Sequence, residues 1–339
     1  MSRPKTINGL MKYLRNAKRI SIKGSRQKQI LMNIGYYHGY KGYRFINNSQ
    51  NTINYSDFDE LIAIYNFDAK VKAILYPYVM YIETALKNYV LEVIIDSVKS
   101  DNFITIYSKL LDNYKMYSTV GKHFLSQKQK DYAENKYKNE INNRLNLRNR
   151  IYNVQAKAFK NNNRIALHYL EKEINLPIWA IFELITLGEF GYFVSCLNLP
   201  CRKLISKKLN IQPNNDTNAT MPQNLIYITK DLRNAIAHND VIFDTRFRTG
   251  KISSSFCNSI ENHTKLKNIT FKTITDYLIL IVYQLKLLSV PKNDIKRLVL
   301  EYKNVTETLR KSIPISMYNR IIFTNNSNQL KALINFIDM

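Results

Sequence analysis

The chain has 339 residues, 45% of them hydrophobic, which is enough to bury one large core or two modest ones and too apolar for a disordered tail. Its formal net charge of +24 and pI of about 9.7 exceed what an ordinary soluble surface carries. Such a balance points to a polyanionic partner, nucleic acid before membrane.

The charge is concentrated rather than spread. Residues 1 to 56 hold 11 Lys/Arg and no acid, Asp57 being the first, and read as a basic N-terminal segment. Arg3, Lys5, Lys12 and Arg15 are not followed by the apolar run of a signal peptide. Arg15, Lys18, Arg19, Lys23 and Arg26 are candidates for phosphate contact. The segment closes on Ile34-Gly-Tyr-Tyr-His-Gly-Tyr-Lys-Gly-Tyr-Arg-Phe45, where glycines at that density break helices and let backbone approach a partner closely. Here Lys41 and Arg44 can hold phosphates while Tyr36, Tyr40 or Tyr43 stack on bases. The alternative is a tight turn in which these tyrosines pack on the next helix.

Apolar residues recur at three and four positions through most of the chain, and alternating strand patterns are scarce, so the fold class is all-α. The clearest helix spans Phe58 to Val98, with Leu75, Val79, Ile82, Leu86, Val90 and Ile94 as a core stripe broken only by Pro77. Further helices are predicted at 126 to 159, 164 to 174, 178 to 198, 222 to 247, 270 to 289 and 292 to 311, with loops at 47 to 54 and 213 to 222. A helical domain over 57 to 250 therefore follows the basic segment, and 251 to 339 form a C-terminal helical extension. Residues 121 to 165 are a basic helical insertion, with 11 Lys/Arg against Asp131, Glu134 and Glu140. Its candidate RNA-binding residues are Lys128, Lys130, Lys136, Lys138, Arg144, Arg148 and Arg150. An AT-rich coding bias explains the abundance of Asn and Tyr but not acids that vanish from two segments only, so RNA is the expected partner. Trp179, the only tryptophan, is expected in the core.

Cys196, Cys201 and Cys257 lack the paired spacings of a zinc site and leave one over from any disulfide, which suits a reduced cytoplasm. The most apolar stretch, Tyr277 to Leu285, is about half a membrane span. Gly121-Lys122 lacks the glycine and hydroxyl of a phosphate loop, no dinucleotide fingerprint occurs, and the five histidines are dispersed, so neither metal nor cofactor is expected.

The stretch Arg233-Asn-Ala-Ile-Ala-His238 carries the most chemistry. On a helix Asn234 and His238 stack on one face, with Arg233 beside them. The imidazole can take a proton from a ribose 2′-OH or give one to the leaving oxygen. Arg233 can hold the phosphate, and Asn234 can orient the histidine or bind a phosphate oxygen. Chance supplies an Arg five positions before a His roughly one time in four in such a chain, and the bland reading is a histidine at a helix end beside a solvated arginine.

In its context, Asp231-Leu-Arg-Asn-Ala-Ile-Ala-His-Asn-Asp240 resembles the signature of HEPN domains, an Arg and a polar residue followed after a short spacer by a His. Taken with the Gly-Tyr-Tyr block at 35 to 45, Tyr65-Asn-Phe-Asp68 leading into Tyr81-Ile-Glu-Thr-Ala-Leu-Lys87, and Leu176-Pro-Ile-Trp-Ala-Ile-Phe-Glu183 with Thr186-Leu-Gly188, the chain resembles the Abi-like family typified by AbiD and AbiF. The four blocks stand in the family's order over about residues 7 to 248. The resemblance implies a HEPN-like helical bundle and a metal-independent endoribonuclease toxin for antiphage defence, leaving 2′,3′-cyclic phosphate ends and controlled by a structured noncoding RNA. It also implies a composite site. One motif is present, since Arg164 to His168 has too short a spacer and reads as an ordinary helix, so a homodimer through the Arg233/His238 face follows. Glu83 matches an acid common in the family on the neighbouring helix, which the resemblance implies as a fourth catalytic-site residue orienting Arg233 or His238, although Lys87 stands where an Arg is usual. A non-catalytic RNA-binding protein of the same fold is the alternative, and a helical protein–protein adaptor a third reading that the charge localisation argues against.

Overall fold

The computed structural model describes residues 5–120, 126–211 and 216–339. Gly121-Lys122, the start of the basic insertion and part of the loop expected at 213 to 222 lie outside the described residues. The described residues form fifteen helices and no strand, only three isolated bridges. In chain order they are α1 (Ile7–Lys18), α2 (Gly24–Gly39), α3 (Phe58–Val98), α4 (Phe103–Lys109), α5 (Gln127–Lys160), α6 (Arg164–Leu170), α7 (Ile178–Leu184), α8 (Leu187–Cys196), α9 (Leu199–Lys208) and α10 (Met221–Ala237). Then come α11 (Ser254–Thr264), α12 (Ile274–Leu287), α13 (Lys292–Ser312), α14 (Ile315–Ile322) and α15 (Asn326–Asp338). Short 3-10 helices stand at Lys41–Tyr43 and Asn113–Tyr117.

The chain divides into two compact units, one made of Met1–Met80 with Asp231–Met339 and the other of Tyr81–Lys230. These units do not follow the expected boundaries at 56 and 250. They cut inside α3 and α10, and the basic N-terminus and the C-terminal helices fall in the same unit. In the first unit α12 is mostly apolar and buried from Ile274 to Leu285, its Thr275, Asp276 and Gln284 included, with α11, α13 and α15 packed on it. In the second unit α5 packs against α6, α7, α8 and the 3-10 helix at Asn113–Tyr117, burying Leu147 and Ile151.

The long helix α3 forms as predicted and runs through Pro77. Its stripe of Leu75, Val79, Ile82, Leu86, Val90 and Ile94 is buried, each side chain at most 2% exposed. Three other expectations are corrected. The helix predicted at 178 to 198 is two helices, because Ile185 is extended and Thr186 caps α8, its hydroxyl accepting from Glu189 N while the Glu189 carboxylate accepts from Thr186 N. The helix predicted at 222 to 247 ends at Ala237, where Asn239 adopts a left-handed conformation with φ 56°. Trp179 lies on the exposed face of α7, 42% accessible, with its edge toward Tyr169. The basic N-terminus is itself helical. Thr6 caps α1, and α2 kinks at Gly35, whose φ of 68° only glycine takes without strain. No helix of the described residues is long and apolar enough to cross a membrane, and Tyr277–Leu285 lies inside α12.

Candidate functional site

Arg233, Asn234 and His238 occupy the last turn of α10 and its C-terminal cap. The His238 N–H closes the helix on Asn234 O at 2.9 Å. Asn239 N–H then donates to Ile236 O at 3.1 Å and Asp240 N–H to Ala235 O at 2.8 Å, the paired bonds of a Schellman ending. The left-handed residue this ending requires is Asn239, one of the few side chains besides glycine that tolerates it. His238 is therefore the capping residue, and its side chain is exposed. Arg233 and Asn234 are half-buried, and Arg233 Nη1 donates to Asn234 Oδ1 at 3.3 Å. The amide oxygen braces the guanidinium rather than the imidazole.

The chain beyond His238 is anchored by a residue outside the motif. Asp68, fully buried on α3, accepts from the N–H groups of Ile242 and Phe243 at 2.8 and 2.7 Å and from Tyr43 Oη at 3.0 Å. Lys72, one turn on, forms an ion pair with Asp68 at 2.8 Å, and its Nζ also donates to Asn239 Oδ1 at 3.0 Å. Burial pushes the Asp68 carboxyl above its ordinary range, against the opposing pull of Lys72 and the bonds it accepts. The residue that sets the helix end at His238 is thus held through Lys72 by Asp68. His38 faces the same charges. Burial, and then Lys72, hold its imidazole below the ordinary range, and its Nδ1 is buried without a partner. Nearby, Asp244 accepts from Asn47 N at 2.7 Å and pairs with Arg246, whose Nη2 donates to Phe45 O at 2.8 Å. Asp68 was visible only as part of the Tyr65-Asn-Phe-Asp68 block; nothing in the spacing of Lys72 or Asn239 marked them.

Glu83 lies on α3 in the second unit, 8% exposed, and pairs with Lys87 at 3.4 Å. Lys87 reaches on to Ile185 O at 3.4 Å.

The expected RNA-binding residues divide by burial. In the first unit Arg15, Lys18, Arg19, Lys23, Arg26 and Lys41 are exposed, and Arg44 and Tyr36 are half-buried. Tyr40 is 7% exposed with its ring against Tyr36, and Tyr43 is fully buried, stacked on Phe243. The packing reading is the correct one for both, since a buried ring has no face to offer a base. On α5, Lys128, Lys138, Arg148 and Arg150 are exposed, while Lys130 and Lys136 are half-buried. Arg144 is committed internally, its guanidinium 3.9 Å from the Tyr107 ring centroid and Nη2 donating to Tyr107 O at 2.9 Å, which corrects its assignment to an outside phosphate. Arg15, Lys18, Arg19, Lys23, Arg26, Lys41, Lys128, Lys138, Arg148 and Arg150, the exposed residues of this set, form no salt bridge among the described residues.

The model of a family described as Abi-like protein matches residues 29–244, nearly two thirds of the chain. The chain belongs to the Abi-like family. Membership places it with proteins tied to abortive infection, and the matched region takes in α2 from Gln29 on, Asp68 and the whole of the Arg233 to His238 turn. Helices α11 to α15 lie beyond the match. No curated protein and no solved structure matches the chain.

Proposed function

We propose that this Abi-like protein binds RNA and is a metal-independent endoribonuclease of the HEPN type acting in abortive infection. The observation that carries the reading is the turn at the end of α10. It presents an exposed imidazole and a half-buried guanidinium on one braced helix end. His238 acts as general base on a ribose 2′-OH or as general acid on the 5′ oxygen, and Arg233 stabilises charge on the phosphate. The products are a 2′,3′-cyclic phosphate and a 5′-hydroxyl. One imidazole does not serve both proton transfers readily, so a second copy completes the site as a homodimer through this face. The exposed cations of α1, α2 and α5 hold a structured RNA that controls the activity.

Protein freed of nucleic acid at high salt is expected to cleave single-stranded RNA in EDTA. His238→Ala and Arg233→Ala are each expected to lower the rate about a hundredfold or more while leaving the far-ultraviolet dichroism unchanged. Equal cleavage by wild type and both variants sinks the catalytic reading. The second reading, a non-catalytic RNA-binding protein, is favoured by the position of most of the exposed cations expected to bind RNA, which lie on α1, α2 and α5 rather than on α10. It is retained if RNA binds and no preparation cuts.

A further inference from the structure

The second unit holds a cleft of ≈ 540 Å³ lined by α5, α8, α9, the 3-10 helix at Asn113–Tyr117 and the start of α10. Its walls are largely amides and hydroxyls, among them Asn143, Gln223, Tyr117 and Tyr227, and among the described residues that line it Met116 is the one aliphatic side chain. Into this cleft comes Arg202, a guanidinium only 6% exposed. It has one good hydrogen bond, Nη2 to Asn113 Oδ1 at 2.9 Å, and a thioether contact to Met116 Sδ at 3.9 Å. Its Nε is buried without a partner, and among the described residues the guanidinium forms no salt bridge, Glu140 and Asp216 acting on its charge only at longer range. The one acid in the wall, Glu140, instead accepts from Asn113 Nδ2 at 3.1 Å, so the amide stands between acid and guanidinium.

A buried arginine with most of its five donors unused is an expensive arrangement for a fold to keep for packing alone. It is the arrangement needed to receive an anion, because the fork of the guanidinium matches phosphate oxygens and the desolvation has already been incurred. Lys136, half-buried on α5, lines the same cleft and adds a second cation. The polar walls do not suit an acyl chain, whereas ribose hydroxyls and base edges find partners there, and the volume is that of a small-ligand site. We propose that this cleft binds a ribonucleotide, with Arg202 gripping its phosphate and Lys136 supporting it. The ligand is either a free mononucleotide or the phosphorylated end of an RNA. Nothing in this depends on whether Arg233 and His238 cut RNA.

The test is calorimetric titration of the full chain, freed of nucleic acid, with the four ribonucleoside 5′-monophosphates and the four ribonucleosides. Monophosphates are expected to bind at least about tenfold tighter than nucleosides, which is 1.4 kcal/mol. Arg202→Gln is expected to remove that preference while the ligand-free protein melts no lower than wild type, since an uncompensated charge has left the interior. A purely structural arginine gives the opposite pair of results: a lower melting temperature and no phosphate preference to lose. Lys136→Gln, on the rim, is expected to weaken monophosphates more than nucleosides and serves if Arg202→Gln does not fold. Arg233→Ala is expected to bind as wild type does, which separates this cleft from the α10 turn. Short RNAs with a 5′-phosphate or a 5′-hydroxyl distinguish the sources: tighter binding of the phosphorylated RNA than of any mononucleotide assigns an RNA end, and the reverse a free nucleotide. The proposal is overturned if wild type binds monophosphates no tighter than nucleosides, or if Arg202→Gln keeps the preference.

Discussion

Asp68 gathers three parts of the chain that are far apart in sequence. Its two oxygens take the Tyr43 hydroxyl, two backbone N–H groups beyond His238, and the Lys72 ammonium. A buried carboxylate and ammonium offset each other's desolvation only while both are present. Lys72→Met is therefore expected to cost about 3 kcal/mol in urea unfolding, and Asp68→Asn a similar amount. The double variant is expected to cost about 1 kcal/mol or more less than the sum of the singles. Strict additivity would show that the pair does not couple. At this scale the sequence was half legible. Arg233, Asn234 and His238 could be placed on one helix from spacing alone, but not at its end. That Asn234 braces Arg233 rather than His238, or that Tyr43 is buried, depends on partners such as Phe243, 200 residues away from Tyr43 in the chain.

At the scale of elements, the turn that ends α10 decides where His238 points. Its left-handed residue carries a penalty of about 1–2 kcal/mol for an ordinary side chain. Asn239→Val is expected to lower stability by about that amount, whereas Asn239→Gly relieves the backbone and forfeits only the Lys72 contact, leaving stability within about 0.5 kcal/mol of wild type. Thermal unfolding of the two variants checks this, and equal losses would mean that the backbone conformation is not what matters. Helix existence was well encoded for α3, α5 and α13, where a 3.6-residue pattern runs for many turns. The breaks were also written locally, in Thr186-Leu-Gly-Glu189 as a capping box and in Asn239 as a C-terminal stop, but a continuing apolar pattern masks such signals when it is read alone. The shorter helices α1, α2, α4, α9, α11, α14 and α15 were not legible individually, because a few turns give too little periodicity to outweigh charge and glycine.

For the whole molecule, the charge excess is the property with the longest reach. The part of it on the surface is smaller than a count of Lys and Arg implies, since Arg144 is committed to Tyr107 and Arg202 is buried, so neither adds to the exposed charge. Replacing Lys128, Lys138, Arg148 and Arg150, all exposed on α5, by Gln is expected to weaken binding of a structured RNA and to reduce the slope of log K against log salt by about 3, at roughly 0.7–0.9 per phosphate contact. An unchanged slope, measured by filter binding across salt concentrations, would place the RNA elsewhere on the protein.

The sequence by itself determined the all-helical class, the two basic segments and the proximity of Arg233, Asn234 and His238, because helical periodicity, capping and charge are properties of neighbours in the chain. Only the tertiary structure decided which cations are left for a partner, that Asp68 and Lys72 hold the end of α10, and that Arg202 is buried in a polar cleft. Burial and desolvation are set by residues that meet only when the chain folds, and they turn an ordinary aspartate into an anchor and an ordinary arginine into a candidate phosphate ligand.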